Sequence, residues 1–201
     1  MTSIQQLPKE DIESISFQIS YPNFENPLNE ENNITEEFKI EKDVITKHSH
    51  VIEALVGDCN DDSIVPIPDS IFHHVEHIVK DKDGNDVTTW LTVKPSETII
   101  RILDFCREYK DVALPQEINN KDENKGWDMS QFDDNYIAKL NIDDHNEMMS
   151  LIKIINFLHI DPFWFLIRDY CASEIKKLPV EEQKNIWKKP IPKTETEQES
   201  T

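Results

Sequence analysis

Three histidines, His73, His74 and His77, are the nearest thing in this sequence to a metal-ligand set. On a helix, two of their imidazoles would share one turn, an arrangement zinc sites use. The frame is incomplete, because no glutamate stands in a His-Glu-x-x-His pattern, no third ligand follows at matched spacing, and the segment runs into a hairpin signal. The string DKDGND at 81–86 has the outline of a calcium loop, yet it lacks glycine at the sixth position and carries Thr92 at the twelfth, where a bidentate glutamate belongs. It reads as a turn. Cys106 falls on an apolar helix, where a thiol is ordinarily inert packing. The glycines, Gly57, Gly84 and Gly126, are isolated, which excludes a phosphate-cradling loop, a dinucleotide fingerprint and a Gly-x-Ser-x-Gly elbow. The expected catalytic, cofactor-binding and metal-binding residues are therefore none, and the chain reads as no enzyme.

The composition narrows the classes further. The chain has 201 residues, 40 acidic against 21 basic, for a formal net charge of -19. Such a field repels phosphate backbones and anionic lipid head groups, so neither nucleic acid nor membrane is an expected partner. No run approaches the roughly 18 apolar residues of a membrane span, and the first residues lack the basic flank and apolar core of a signal peptide. Cys59, Cys106 and Cys171 are odd in number and widely spaced, which suits a reducing compartment, cytoplasm or nucleus, better than a disulfide framework.

Period-2 alternation predicts strands at 14–20 (SISFQIS) and 36–42 (EEFKIEK), paired across a long acidic connection. Val51, Ile52, Leu55 and Val56, with His48 a turn earlier, predict one short helix over 46–56 that ends at Gly57. VPIP at 65–68 alternates like a strand, but its prolines confine it to an edge or an extended connector. Residues 77–93 carry a turn, Asp-Gly-Asn-Asp, between β-rich runs and predict a hairpin. A buried helix follows from Ser96 to Tyr109, then a solvated acidic linker over 110–127. Asp144 and Glu147 resemble a capping box ahead of a helix at 145–158. Asp161 and Pro162 open a second helix that continues to about Lys177. Its run Phe163, Trp164, Phe165, Leu166, Ile167 is apolar all round, so part of it is expected to meet a second body. Pro179 opens a last short helix before a low-complexity tail.

The segments EEFKIEKDVITKHSHVIEAL, TIIRILDFCREYKD, the linker ending in GWDMSQF and, above all, LIKIINFLHIDPFWFLIRDYCASEIKKLPVEEQKNIW carry a resemblance. Across residues 14–187 the chain resembles the Skp family, the S-phase-kinase-associated adaptors of the SCF ubiquitin ligases in the BTB/POZ superfamily. The resemblance implies an α+β, BTB/POZ-like domain at 14–139, with a small three-stranded sheet packed on helices. Skp-type C-terminal helices follow at 140–187, between tails at 1–13 and 188–201. It implies no catalysis, no cofactor, and two protein partners: a cullin N-terminal domain and the F-box of substrate receptors. Asn156 and Phe157 match the family's cullin-contact pair, and Phe163, Trp164, Ile167, Cys171, Ile175, Pro179, Glu182 and Trp187 lie in the matching F-box-binding stretch.

Two departures separate the chain from that pattern. An insertion over roughly 65–90 sets the first helix apart from WLTV at 90–93, which reads as the family's third strand. The family's last helix gives way to a polar tail from Lys188. These departures motivate an alternative, a self-associating BTB scaffold or a decoy that engages only one of the two partners.

Overall fold

The computed structural model describes residues 13–23, 33–57, 64–115, 117–118, 126–142 and 144–186. The N-terminal tail, most of the acidic connection between the first two strands, Cys59, the middle of the 110–127 linker, Trp187 and the C-terminal tail lie outside them. The fold is α+β.

Strand β1 (Ser14–Tyr21) is the centre of a three-stranded sheet. Its alternation places Ile15, Phe17, Ile19 and Tyr21 on one buried face. Strand β2 (Ile34–Glu41) pairs with it antiparallel, Phe17 opposite Phe38. On the other side β3 (Ile64–Ile67) runs parallel to β1, Phe17 opposite Val65. The third strand is therefore VPIP and not WLTV. An edge strand tolerates Pro66 because no further neighbour needs its missing amide. The hairpin that follows β3 forms a separate two-stranded sheet.

Between β2 and β3 the chain forms two helices where the sequence predicts one, α1 (Lys42–His48) and α2 (His50–Gly57). Ser49 makes the break. Its carbonyl accepts from the Glu53 amide, its hydroxyl accepts from the Ile52 amide at 3.2 Å, and the same hydroxyl donates to the Leu158 carbonyl. The residue thus caps α2 and satisfies the end of a distant helix with one buried side chain.

The hairpin comprises β4 (His74–Lys80) and β5 (Asp86–Thr92), joined by a turn in which Asp81 accepts from the amides of Asp83 and Asn85. Gly84 supplies the positive φ of 84° that this turn requires. Helix α3 (Pro95–Glu108) buries Ile99, Ile102, Leu103, Phe105 and Cys106. The helix predicted as buried is so on one face only, since Ile100 is 46% exposed. Ser96 and Tyr21 both bond to Glu36 at the start of α3, and Arg107 donates to the Lys39 carbonyl near its end, so the helix is fastened to the sheet at both ends.

Part of the predicted linker is ordered. Two-residue strands β6 (Glu117–Ile118) and β7 (Gly126–Trp127) pair, and a short helix α4 (Tyr136–Lys139), which no periodicity announces, buries Tyr136 and Ile137. Helices α5 (His145–Leu158), α6 (Asp161–Lys177) and α7 (Val180–Ile186) complete the chain. The core joins both halves through aromatics: Phe105 stacks on Phe163 at 4.2 Å, with Tyr109, Phe132 and Tyr136 around them. Each such buried ring contributes roughly 2–3 kcal/mol of transfer free energy.

Candidate partner-binding surface

Helix α5 begins as the sequence predicts, Asp144 accepting from the Glu147 amide at 2.8 Å. It ends at His159, which takes a left-handed conformation, φ 50°, the backbone state glycine usually provides at this position. That residue and buried Ile160 turn the chain into α6. Asn156 and Phe157 both belong to the last turn of α5, rather than to a loop after it. Asn156 is exposed, whereas Phe157 is half-buried against the core.

Asp161 is the first residue of α6, not its cap, and Ile160 occupies the capping position without a side-chain bond. The helix divides into two parts. In the first, Phe163, Phe165, Leu166 and Ile167 are buried by this chain's own elements, so the all-round apolar run reflects a helix central to the fold. Phe163 lies against Phe105, and Phe165 stacks on Trp127 of β7 at 5.0 Å with the Arg168 guanidinium over its ring. Phe163 and Ile167 are consequently core residues and offer no surface to a partner. Trp164 is half-buried beside them.

Beyond Arg168 nothing in α6 is fully buried, and α7 makes no more than marginal contact with any other element. Trp164, Cys171, Ile175 and Leu178 recur at helical spacing and form one apolar stripe along this arm. Cys171, packed against the core, and Ile175 are half-buried, Leu178 is 36% and Val180 64% exposed, and Pro179 and Glu182 are exposed. Burial, and after it the charge of Glu174, push the Cys171 thiol above its ordinary value, so it acts as a small apolar group. Ion pairs Lys177–Glu174 and Lys184–Glu181 flank the stripe with alternating charge. The sequence reading missed Leu178 and Val180, although the spacing from Ile175 to Leu178 repeats the earlier period.

The other chemistry-bearing residues are occupied structurally. His74 bonds to Asp69 at 2.9 Å and His73 to Asn146 at 3.2 Å. Both lie at the start of a strand, so the shared helix turn that a zinc pair needs does not form. Among the described residues no group of three or more His, Cys, Asp and Glu is placed to hold a metal ion, and no helix is long and apolar enough to cross a membrane. Burial pushes the Cys106 thiol up to about 12, which removes it as a nucleophile. A charged cleft lined by Glu13, Glu41, Lys42, Asp43, Arg107 and Lys110 holds the ion pairs Lys42–Glu13 and Arg107–Glu41. Neither the protein-family models nor the curated proteins contain a match to this chain.

Proposed function

We propose that this chain is a non-enzymatic adaptor of the Skp type that bridges a cullin N-terminal domain to F-box substrate receptors of a ubiquitin ligase, acting in the cytoplasm and nucleus. The observation that carries the reading is the arm formed by the second part of α6 and by α7. Its apolar stripe is only partly covered by its own chain, Trp164 and Cys171 packing against the core on one side while Leu178 and Val180 stay exposed, and a helix-shaped partner would supply the rest of the cover. Trp164 sits where the arm leaves the body, the position of a partly desolvated aromatic anchor. The resemblance supplies the F-box as the occupant and Asn156 and Phe157 as the cullin contact.

Pull-down of the full chain with cullin and a panel of F-box receptors tests both contacts. Ile175→Asp with Leu178→Asp places charge on the stripe and should weaken F-box binding by tenfold or more while leaving cullin binding unchanged. Because Phe157 packs on the core, Asn156→Lys alone is the clean probe of the other contact, and it should reduce cullin recovery without touching the F-box. Wild-type chain that recovers neither partner class would defeat the proposal.

A further inference from the structure

Among the described residues the β4–β5 hairpin is a two-stranded ribbon whose side-chain bonds to the rest of the fold lie at its base. His73 bonds to Asn146, His74 and Thr92 both bond to Asp69, and the Ser150 hydroxyl donates to the Val93 carbonyl. Further out, Ile78 is 63% and Trp90 57% exposed on one face of the ribbon. Among the described residues the outer edge of β4 pairs with no strand. The parity of the ladder fixes what that edge presents. The Val93 amide donates to the His73 carbonyl and the Asp81 amide to the Asn85 carbonyl, at opposite ends of the same register. Bonded and non-bonded pairs alternate in an antiparallel ladder. Val75, His77 and Val79 therefore face β5 with their backbone groups, while Glu76, Ile78 and Lys80 direct theirs outward.

We propose that this edge pairs antiparallel with the same edge of a second copy, on a two-fold axis through Ile78. In that register Ile78 meets Ile78, and Glu76 meets Lys80 of the second copy on both sides of the axis, each facing pair exchanging backbone bonds. The charge order selects the occupant and the register together. An axis through Glu76 would set two carboxylates opposite each other, and one through Lys80 two ammonium groups, both unfavourable. On the same face Lys80 already pairs with Asp86 at 2.8 Å, so the joined sheet alternates Glu76, Lys80, Asp86 across the seam. An isologous contact of this kind uses the same β4 edge on both copies, so it is complete at two copies, with β5 on the outside of the joined sheet. The ribbon also holds the two bodies, each of formal charge -19, away from one another. An edge contact buries less than the roughly 1,000 Å² of a permanent dimer, so the association is concentration-dependent.

This inference does not rest on the adaptor reading, since neither partner surface lies on the hairpin. Sedimentation equilibrium of the full chain from micromolar to millimolar concentration should give a mass rising from 23.6 kDa toward twice that value. The variants are made in an Asp86→Asn background, so that an acidic residue at 80 meets no like charge within the hairpin. Glu76→Lys and Lys80→Glu should each shift the midpoint at least tenfold to higher concentration, and the double exchange should restore it. Circular dichroism checks the fold of each. A mass of 23.6 kDa throughout, a dimer indifferent to the single changes, or a double variant that fails to regain association would overturn the proposal.

Discussion

Glu147 stands at the third position of α5 and was expected to reach back to its own helix end. It is instead buried and ion-paired with Lys94 and with Arg101, which donates at 3.1 Å, so it bolts α5 to the start of α3. Removing one member of such a pair strands the others. Glu147→Ala should lower unfolding free energy by about 2–3 kcal/mol, less than for a fully enclosed pair because Lys94 can reach water; urea denaturation measures it. His48 gives a pH dependence of known sign. Burial first, then the charge of Lys47, hold its imidazole below the ordinary value near 6.5, against the opposing pull of the Tyr109 backbone. A group harder to protonate in the fold than in the unfolded chain costs nothing at high pH. As the pH falls through 6.5 the unfolded chain takes the proton first, and stability is lost until the pH passes the depressed folded value. The gap between wild type and His48→Leu in urea midpoint should therefore change between about pH 8 and pH 5, with wild type losing more.

The two parts of α6 differ enough to be separated by hydrogen exchange. Amides at 163–167 lie in the core and should open only with global unfolding, whereas those beyond Cys171 and throughout α7 should exchange orders of magnitude faster in the isolated chain. Uniform protection along α6 would contradict the arm. The sequence made the extent of α5 and α6, the hairpin turn and the alternation of β1 legible, because periodicity and capping residues act locally. It did not make legible which body covers Phe163 and Ile167: an apolar surface looks the same whether its own chain or a partner buries it. Ser49 was hidden for a related reason. The apolar period from His48 to Val56 runs straight through it, and its second bond goes to Leu158, far away in sequence. The alternation at 65–68 admitted an edge strand, and β3 is one; it was the resemblance that put the third strand at WLTV, because whether a proline-bearing run pairs at an edge is a property of the assembled sheet. Of the candidate surface, the resemblance named Cys171 and Ile175, which are half-buried, and Pro179 and Glu182, which are exposed, while Leu178 and Val180 emerged only from exposure.

At the scale of the whole molecule, the excess of 40 acidic over 21 basic side chains stores repulsion between surface groups, while the Glu147 cluster is largely shielded from solvent ions. Raising ionic strength from about 0.01 to 0.15 M should thus raise the thermal midpoint, and a fall would indicate that exposed ion pairs dominate. The stacking of Phe105 on Phe163 has a temporal consequence as well. A ribosome releases the sheet and α3 well before α6, and until α6 emerges Phe105 has His48, Tyr109, Phe132 and Tyr136 beside it but not the Phe163 ring that stacks on it. The core is complete only once α5 and α6 have packed, so a nascent fragment ending near residue 140 should remain open to proteases and chaperones, and the finished protein should unfold in a single step.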